Sequence, residues 1–285
     1  MAETSQARLT ELQATANKIR QSIIEMLTAA GSGHSAGSLD MADVFTALYF
    51  EVMRNDPHRP EWEDRDRLLL SAGHICPVRY AAMAHRGYFP VEELLTLRKF
   101  GSRLQGHPER IRLPSLETTS GPLGEGVAQG AGMAYAAKMD KKDWRVYVVS
   151  SDAEHQAGLH WEAAMFAGHY KLNNLINIID RNFIQIDGDT EKIMTLEPLA
   201  DKYRSFGWNV LECDGHDMGA IIAAYDTAKA QIEKPAVIVA HTIPGKGVGY
   251  MEGDYTWHGK PPSAKEADEA LRELRASLEK IEANA

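Results

Sequence analysis

Cysteine is scarce in this sequence: Cys76 and Cys213 are the only two, and no CxxC pair occurs. That excludes a disulfide framework and makes a reducing compartment the expected setting. Basic residues are outnumbered as well. Lys and Arg total 31 against 40 Asp and Glu, a formal net charge of −9. A nucleic acid or an anionic membrane is therefore not expected as main partner, because both need clustered cations. No apolar run approaches membrane-spanning length, and the polar N-terminus has no hydrophobic signal region, so the expected location is the cytoplasm. HExxH is missing, and His155 and His160, five apart, are not expected to share a helix face, which leaves no zinc motif. The glycine loops "GPLGEG" (121–126) and "PGKGVG" (244–249) match neither GxGxxG nor GxxxxGK[ST], so neither nucleotide fingerprint is present.

What is there reads as alternating strands and helices. Short β-branched runs, "WRVYVVS" (144–150), "LINIID" (175–180), "WNVLEC" (208–213) and "AVIVAHT" (236–242), alternate with helical stretches such as "HWEAAMFAGHY" and "MGAIIAAYDTAKAQI". That pattern predicts βαβ units: an α/β fold with a mostly parallel central sheet and helices on both faces. "RLLLSAGH" (67–74) reads as a further buried strand ending in Gly-His, and residues 6–28 as an amphipathic opening helix. "GSGHSAGSLD" (31–40) reads as a Gly/Ser-rich loop in which Ser38 or Asp40 is the candidate cap of the next helix. "VAQGAGMAYAAKM" (127–139) is a helix of small residues suited to close packing, and the charged tail 263–285 is a helix that caps the domain or meets a partner. Without repeat, linker or low-complexity segment, residues 1–285 are expected to form one domain, opened by the helix within 1–28.

Two strands are expected to deliver Asp152 and Asn182 at their carboxyl ends, where ligands bind in open parallel sheets. A few hard oxygen donors suit Mg²⁺; an Asp and an Asn at strand ends equally suit backbone turns, and the spacing leaves both open. Four histidines share a setting. His34, His74, His107 and His258 each adjoin a glycine, in "SGHS", "AGHI", "QGHP" and "WHGK". Imidazoles in loops with small neighbours fit a polar pocket made for proton transfer near neutral pH.

Together these pieces resemble the N-terminal, diphosphate-binding part of transketolase, from about residue 15 to about 262. The segments that carry the likeness are "AAGSGHSAGSLDMADVFTALYF", "DRLLLSAGH", "LRKFGSRLQGHPE", "TTSGPLGEG", "WEAAMFAGHYKLNNLINIIDRNFIQIDG", "FGWNVLECDGHD" and "GKGVGYMEGDYTWHGKPP". The resemblance implies thiamine diphosphate, bridged to the protein by Mg²⁺ or Ca²⁺, and transfer of a two-carbon ketol unit from a ketose phosphate to an aldose phosphate. By motif position, Asp152, the Asn182 side chain and the Ile184 carbonyl would be metal ligands. Gly121, Pro122 and Leu123 would line the cofactor, beside Ala153 and Glu162. His74 and His258 would contact cofactor and substrate, and His34 and His107 the ketol.

The chain stops where the family's pyrimidine-binding domain should begin. The resemblance therefore implies a split transketolase, two such chains with two C-terminal partner subunits, inactive apart. The sequence also departs from the family pattern: Ala153 stands where glycine is usual and Ala157 where glutamate is. Ser35-Ala36 replaces Pro-Gly, and Ala72 replaces lysine. The alternatives are a catalytically degenerate scaffold of the same fold, a 1-deoxyxylulose-5-phosphate synthase, and a 2-oxoacid dehydrogenase α subunit. "WEAAMFAGHYKLNNL" and "WHGKPP" favour transketolase over the last two.

Overall fold

The computed structural model describes residues 4–283; the ends of the two expected terminal helices, 1–3 and 284–285, lie outside the described residues. In chain order the elements are α1 (Gln6–Ala30), α2 (Ala36–Asp40), α3 (Ala42–Ala47), β1 (Arg67–Leu70), α4 (Cys76–Arg86) and α5 (Glu125–Met139). Next come β2 (Val146–Ser151), α6 (Gly158–His169), β3 (Leu175–Arg181), the short β4 (Ile184–Gln185) and β5 (Gly188–Asp189), α7 (Thr190–Ile193) and α8 (Leu199–Ser205). The chain ends with β6 (Asn209–Asp214), α9 (Met218–Ala230), β7 (Ala236–His241) and α10 (Ala264–Ala283).

Five strands form one sheet in the order β1-β2-β3-β7-β6, every neighbouring pair parallel. The period-2 alternation of a strand sorts the apolar residues to the two faces. On β2 and β3, Tyr147, Val149, Ile176 and Ile178 join one apolar cluster with α1, α3, α4 and α9. Val146, Val148, Leu175 and Ile179 join a second, with α5, α6 and α8. Helices therefore cover both faces, as the apolar runs predicted. β6, the edge strand, is only partly buried along its length.

Two local features position the site. The small residues of α5 let it lie close on the sheet: a Cβ at Gly130 would stand 2.5 Å from Val148 Cγ2, and one at Gly126 would stand 2.3 Å from Ser71 Cβ. The stretch 31–40 differs from its expected loop form. It turns helical at Ala36 and breaks only at Met41. Ser38 and Asp40 are no caps, since both are buried inside α2. The Ser38 hydroxyl donates to the His34 carbonyl (2.7 Å), and the Asp40 carboxylate accepts from Asn182 Nδ2 (3.0 Å).

Candidate functional site

The carboxyl ends of β1, β2 and β3 lie side by side, with Ser151 paired to Asp180 in register. Beyond them opens a cavity of about 320 Å³ whose lining includes all four of His34, His74, His107 and His258. Each imidazole arrives on a different segment. His34 precedes α2, His74 sits in the turn after β1, His107 lies in the long connection before α5, and His258 follows the turn Tyr255–Trp257. The rings of His34, His74 and His258 gather with centroids 5.0–5.6 Å apart. His107 stands on the wall shared with Gly121.

Burial sets the charge of this quartet. Desolvation, then the neighbouring His258, Arg98 and His107, lower His34 to about 4. Desolvation, then His258, His34 and His107, hold His74 well below its ordinary value. His258 is lowered by burial, and His107 by burial and then by Arg98. All four are neutral at pH 7, so each offers one N–H donor and one lone pair.

At the cavity floor, Asp152 is fully buried. Its Oδ2 accepts from Arg181 Nη1 (2.8 Å) and Phe183 N (3.0 Å), and its Oδ1 from Ala153 N (2.6 Å). Desolvation raises its pKa to about 6 against the pull of Arg181. Asn182 reaches the same corner from β3, its Oδ1 accepting from Ile184 N (3.1 Å). Ala153, Asn182 and Ile184 all line the cavity. Ala153 opens a 3₁₀ turn, Ala153–Gln156, and does not take a positive φ. The methyl therefore meets no backbone requirement for glycine.

Gly121 and Leu123 also line the cavity. Pro122 is exposed beside them, and Glu162 is exposed on α6, outside the cavity. Ala157 lies 2.7 Å from where a Cβ on Gly124 would sit, so it packs under the glycine loop.

Sequence reasoning missed four features. Asp40 and Asp180 are buried carboxyls beside Asn182, and burial pushes both upward as they face one another. Arg181, fully buried, bonds Asp152, Glu191 and Glu197 at once. Glu154 ties the strand ends together, accepting from the Ser71 hydroxyl (2.5 Å) and Ser151 N (3.0 Å). Finally, His155 and His160 do meet, their centroids 3.8 Å apart. They belong to successive turns rather than one helix, and both bond the Tyr203 hydroxyl, at 2.9 and 2.6 Å. His155 Nδ1 faces the carbonyls of Ser151 and Asp152 (3.0 and 2.9 Å) and must carry the proton, so its Nε2 is the acceptor for Tyr203.

The residues present fit a bound group. His34 Nδ1, Asp40 Oδ1 and Ser120 Oγ are buried with no hydrogen-bond partner among the described residues, as in a site whose ligand completes the bonding. The donor set near Asp152 and Asn182 is all oxygen and carries an excess of buried carboxyls over the single Arg181, which suits a hard divalent cation. Among the described residues no group of three or more His, Cys, Asp or Glu is arranged to hold a metal without other donors.

Comparison with known proteins agrees with this geometry. Residues 12–280 match the family described as transketolase, thiamine diphosphate binding domain. An apulose-4-phosphate transketolase subunit from Phocaeicola vulgatus is 43% identical over 277 residues, covering 97% of this chain and 98% of that protein. The 6-deoxy-6-sulfo-D-fructose transketolase subunit SqwG of a Clostridium species is 44% identical, covering 95% and 97%. Against rat transketolase the identity is 36%, over 96% of this chain but 44% of the relative. The solved transketolase of Campylobacter jejuni superposes with a TM-score of 0.87 at 33% identity, over 95% of this chain and 45% of that one. The chain thus spans under half of the whole transketolases and nearly all of the relatives named as subunits. It belongs to the transketolase family, as a thiamine diphosphate-binding domain of that family.

Proposed function

We propose that this chain is the N-terminal subunit of a split transketolase. With a C-terminal, pyrimidine-domain partner, as an α2β2 assembly in the cytoplasm, it transfers a two-carbon ketol unit between sugar phosphates. The observation that carries the reading is the placement of four neutral histidines over a floor of buried oxygen donors at adjoining strand ends. The names of the two subunit relatives support the need for a partner.

Asp152, the Asn182 side chain and the Ile184 carbonyl would hold Mg²⁺ or Ca²⁺, and through it the diphosphate of thiamine diphosphate. When bound, the cofactor supplies a stabilised carbanion at which the carbon–carbon bond is broken and made. The chain's own residues bind, orient and move protons. Gly121, Pro122, Leu123 and Ala153 would border the cofactor, with Gly124 and Ala157 packed behind the loop. Glu162, on the exposed face of α6, would act across an interface rather than within this cavity. His74 and His258 would border cofactor and substrate. His34 and His107 would hydrogen-bond the ketol, donating to alkoxide oxygen as charge develops. Neutral imidazoles suit that task, because each keeps a lone pair to take the proton back.

Calorimetry with thiamine diphosphate and Mg²⁺, on the chain assembled with its partner, tests the reading. Asp152→Ala should abolish metal-dependent cofactor binding with the fold retained, and His107→Ala should leave binding near that of the parent and slow transfer. The chain alone should show no transfer, and mixing with the partner should start it. Tight cofactor binding by the Asp152→Ala chain would remove the metal assignment. Binding without transfer by the full assembly would instead identify a scaffold.

A further inference from the structure

Asn182 is held more tightly than a strand-end amide requires. Its Nδ2 donates both protons, one to Asp40 Oδ2 (3.0 Å) and one to Asp180 Oδ2 (2.9 Å), while its Oδ1 accepts from Ile184 N (3.1 Å). Asp180 is itself fixed, since its Oδ1 accepts from the Thr242 hydroxyl at the end of β7 (2.5 Å). Asp40 comes from a distant part of the chain, 142 residues before Asn182, and is fully buried. Gly37 in the same short helix lets it approach: a Cβ there would stand 2.8 Å from Ile75 and 3.8 Å from Asp180 Oδ2.

An amide has one face of two donors and one of two lone pairs. Turning the Asn182 amide over would aim its oxygen at two carboxyl groups and its NH₂ at the Ile184 N–H. Both contacts are repulsive, and in a buried site no water relieves them. We propose that Asp40 is a positioning residue: by taking one N–H of Asn182 it fixes the amide so that oxygen, the only atom of that group able to ligate a cation, is the one presented at the strand end. The inference rests on the metal reading of Asp152, Asn182 and Ile184 under the proposed function.

The test measures Mn²⁺ binding to the full chain with saturating thiamine diphosphate, by the loss of the free-ion paramagnetic resonance signal, so no turnover is needed. Removing the acceptor in Asp40→Ala should weaken Mn²⁺ binding about 10- to 100-fold, the range for partners that orient a metal ligand. Asp40→Asn keeps an oxygen acceptor at the same reach and should stay within about threefold of the parent. Parent-like binding by Asp40→Ala overturns the inference and leaves the proposed function standing. Equal loss in both variants overturns it too, because charge rather than orientation would then be at work. A parent that binds neither Mn²⁺ nor cofactor removes the proposed function and this inference with it. A second measurement does not depend on how the variants fold. In the parent, the side-chain NH₂ of Asn182, assigned by its loss in Asn182→Asp, should exchange slowly with solvent deuterium before any metal is added. Exchange as fast as that of an exposed asparagine overturns the proposal.

Discussion

Replacing Arg181 by methionine isolates the ion pair that sets the Asp152 carboxylate. The guanidinium is fully buried, 2.8 Å from Asp152 Oδ2, and lies 3.9 Å from the centre of the Phe183 ring. Its other carboxylates count for less. Glu191 and Glu197 keep 25% and 54% of their side-chain exposure and can turn to water when Arg181 is gone. Asp152 has no such escape. Removing one partner of a buried pair costs about 3–5 kcal/mol, because the other charge stays behind. Here Asp152 already stands at a pKa of about 6, so at pH 7 taking up a proton costs only about 1.4 kcal/mol per unit of pH. That relief places the expected loss for Arg181→Met near 3 kcal/mol at pH 7, and lower near pH 5.5. Adding Asp152→Asn removes the stranded charge and keeps the acceptor for Ala153 N. The double variant should recover at least about 1.5 kcal/mol relative to the sum of the singles, since contacting pairs couple by about 0.5–3 kcal/mol. Urea unfolding followed by tryptophan fluorescence supplies all four corners of the cycle. Additivity within about 0.5 kcal/mol would refute the argument that Arg181 chiefly compensates Asp152.

Three further outcomes are expected. Ala153→Gly should leave thiamine diphosphate affinity unchanged by calorimetry and cost about 0.4–1 kcal/mol through the unfolded chain, about 1–2 °C in melting temperature for a protein this size; a fivefold gain in affinity would contradict the unstrained turn seen at Ala153. Gly130→Ala, with its new methyl driven against Val148 on a central strand, should lose about 1–3 kcal/mol, read as a lower urea midpoint, and an unchanged midpoint would show that α5 can lift off the sheet. His34 should titrate near pH 4 in a histidine NMR titration. Because the unfolded chain takes up that proton near pH 6.5, the folded state loses stability as the pH falls from 6.5 through 4 and has this contribution in full above 6.5. A midpoint near 6.5 would show the cavity to be wet.

The sheet was legible because its strands are apolar on both faces, and "VYVVS" and "LINIID" hardly suit anything but central parallel strands. The site was legible as a set of residues, not as a set of contacts. Asp152 and Asn182 stood out as polar ends of apolar runs, while Asp40 sat in a stretch of Gly and Ser that reads as loop. Only the tertiary approach of α2 to β3 makes Asp40 a partner of Asn182. Arg181 left a usable sign: alternation on β3 turns it away from Asp180 and Asn182 into a helix-covered face, where a buried guanidinium demands carboxylates. The meeting of His155 and His160 left none, because a helical wheel does not extend across the bend at Ala157.

Ser71 has a mechanical consequence. Its hydroxyl holds Glu154 on one side and accepts from Gly126 N (3.0 Å) on the other, which rivets the end of β1, the end of β2 and the first turn of α5 into one block. The glycine loop before α5 is thus anchored at its downstream end, and Gly124, at φ 87°, is the last joint upstream of the rivet. A swing of that loop over the cavity would have to pivot there, with Gly121–Leu123 as the moving arm and the sheet, the histidine after β1 and the floor beneath it standing still.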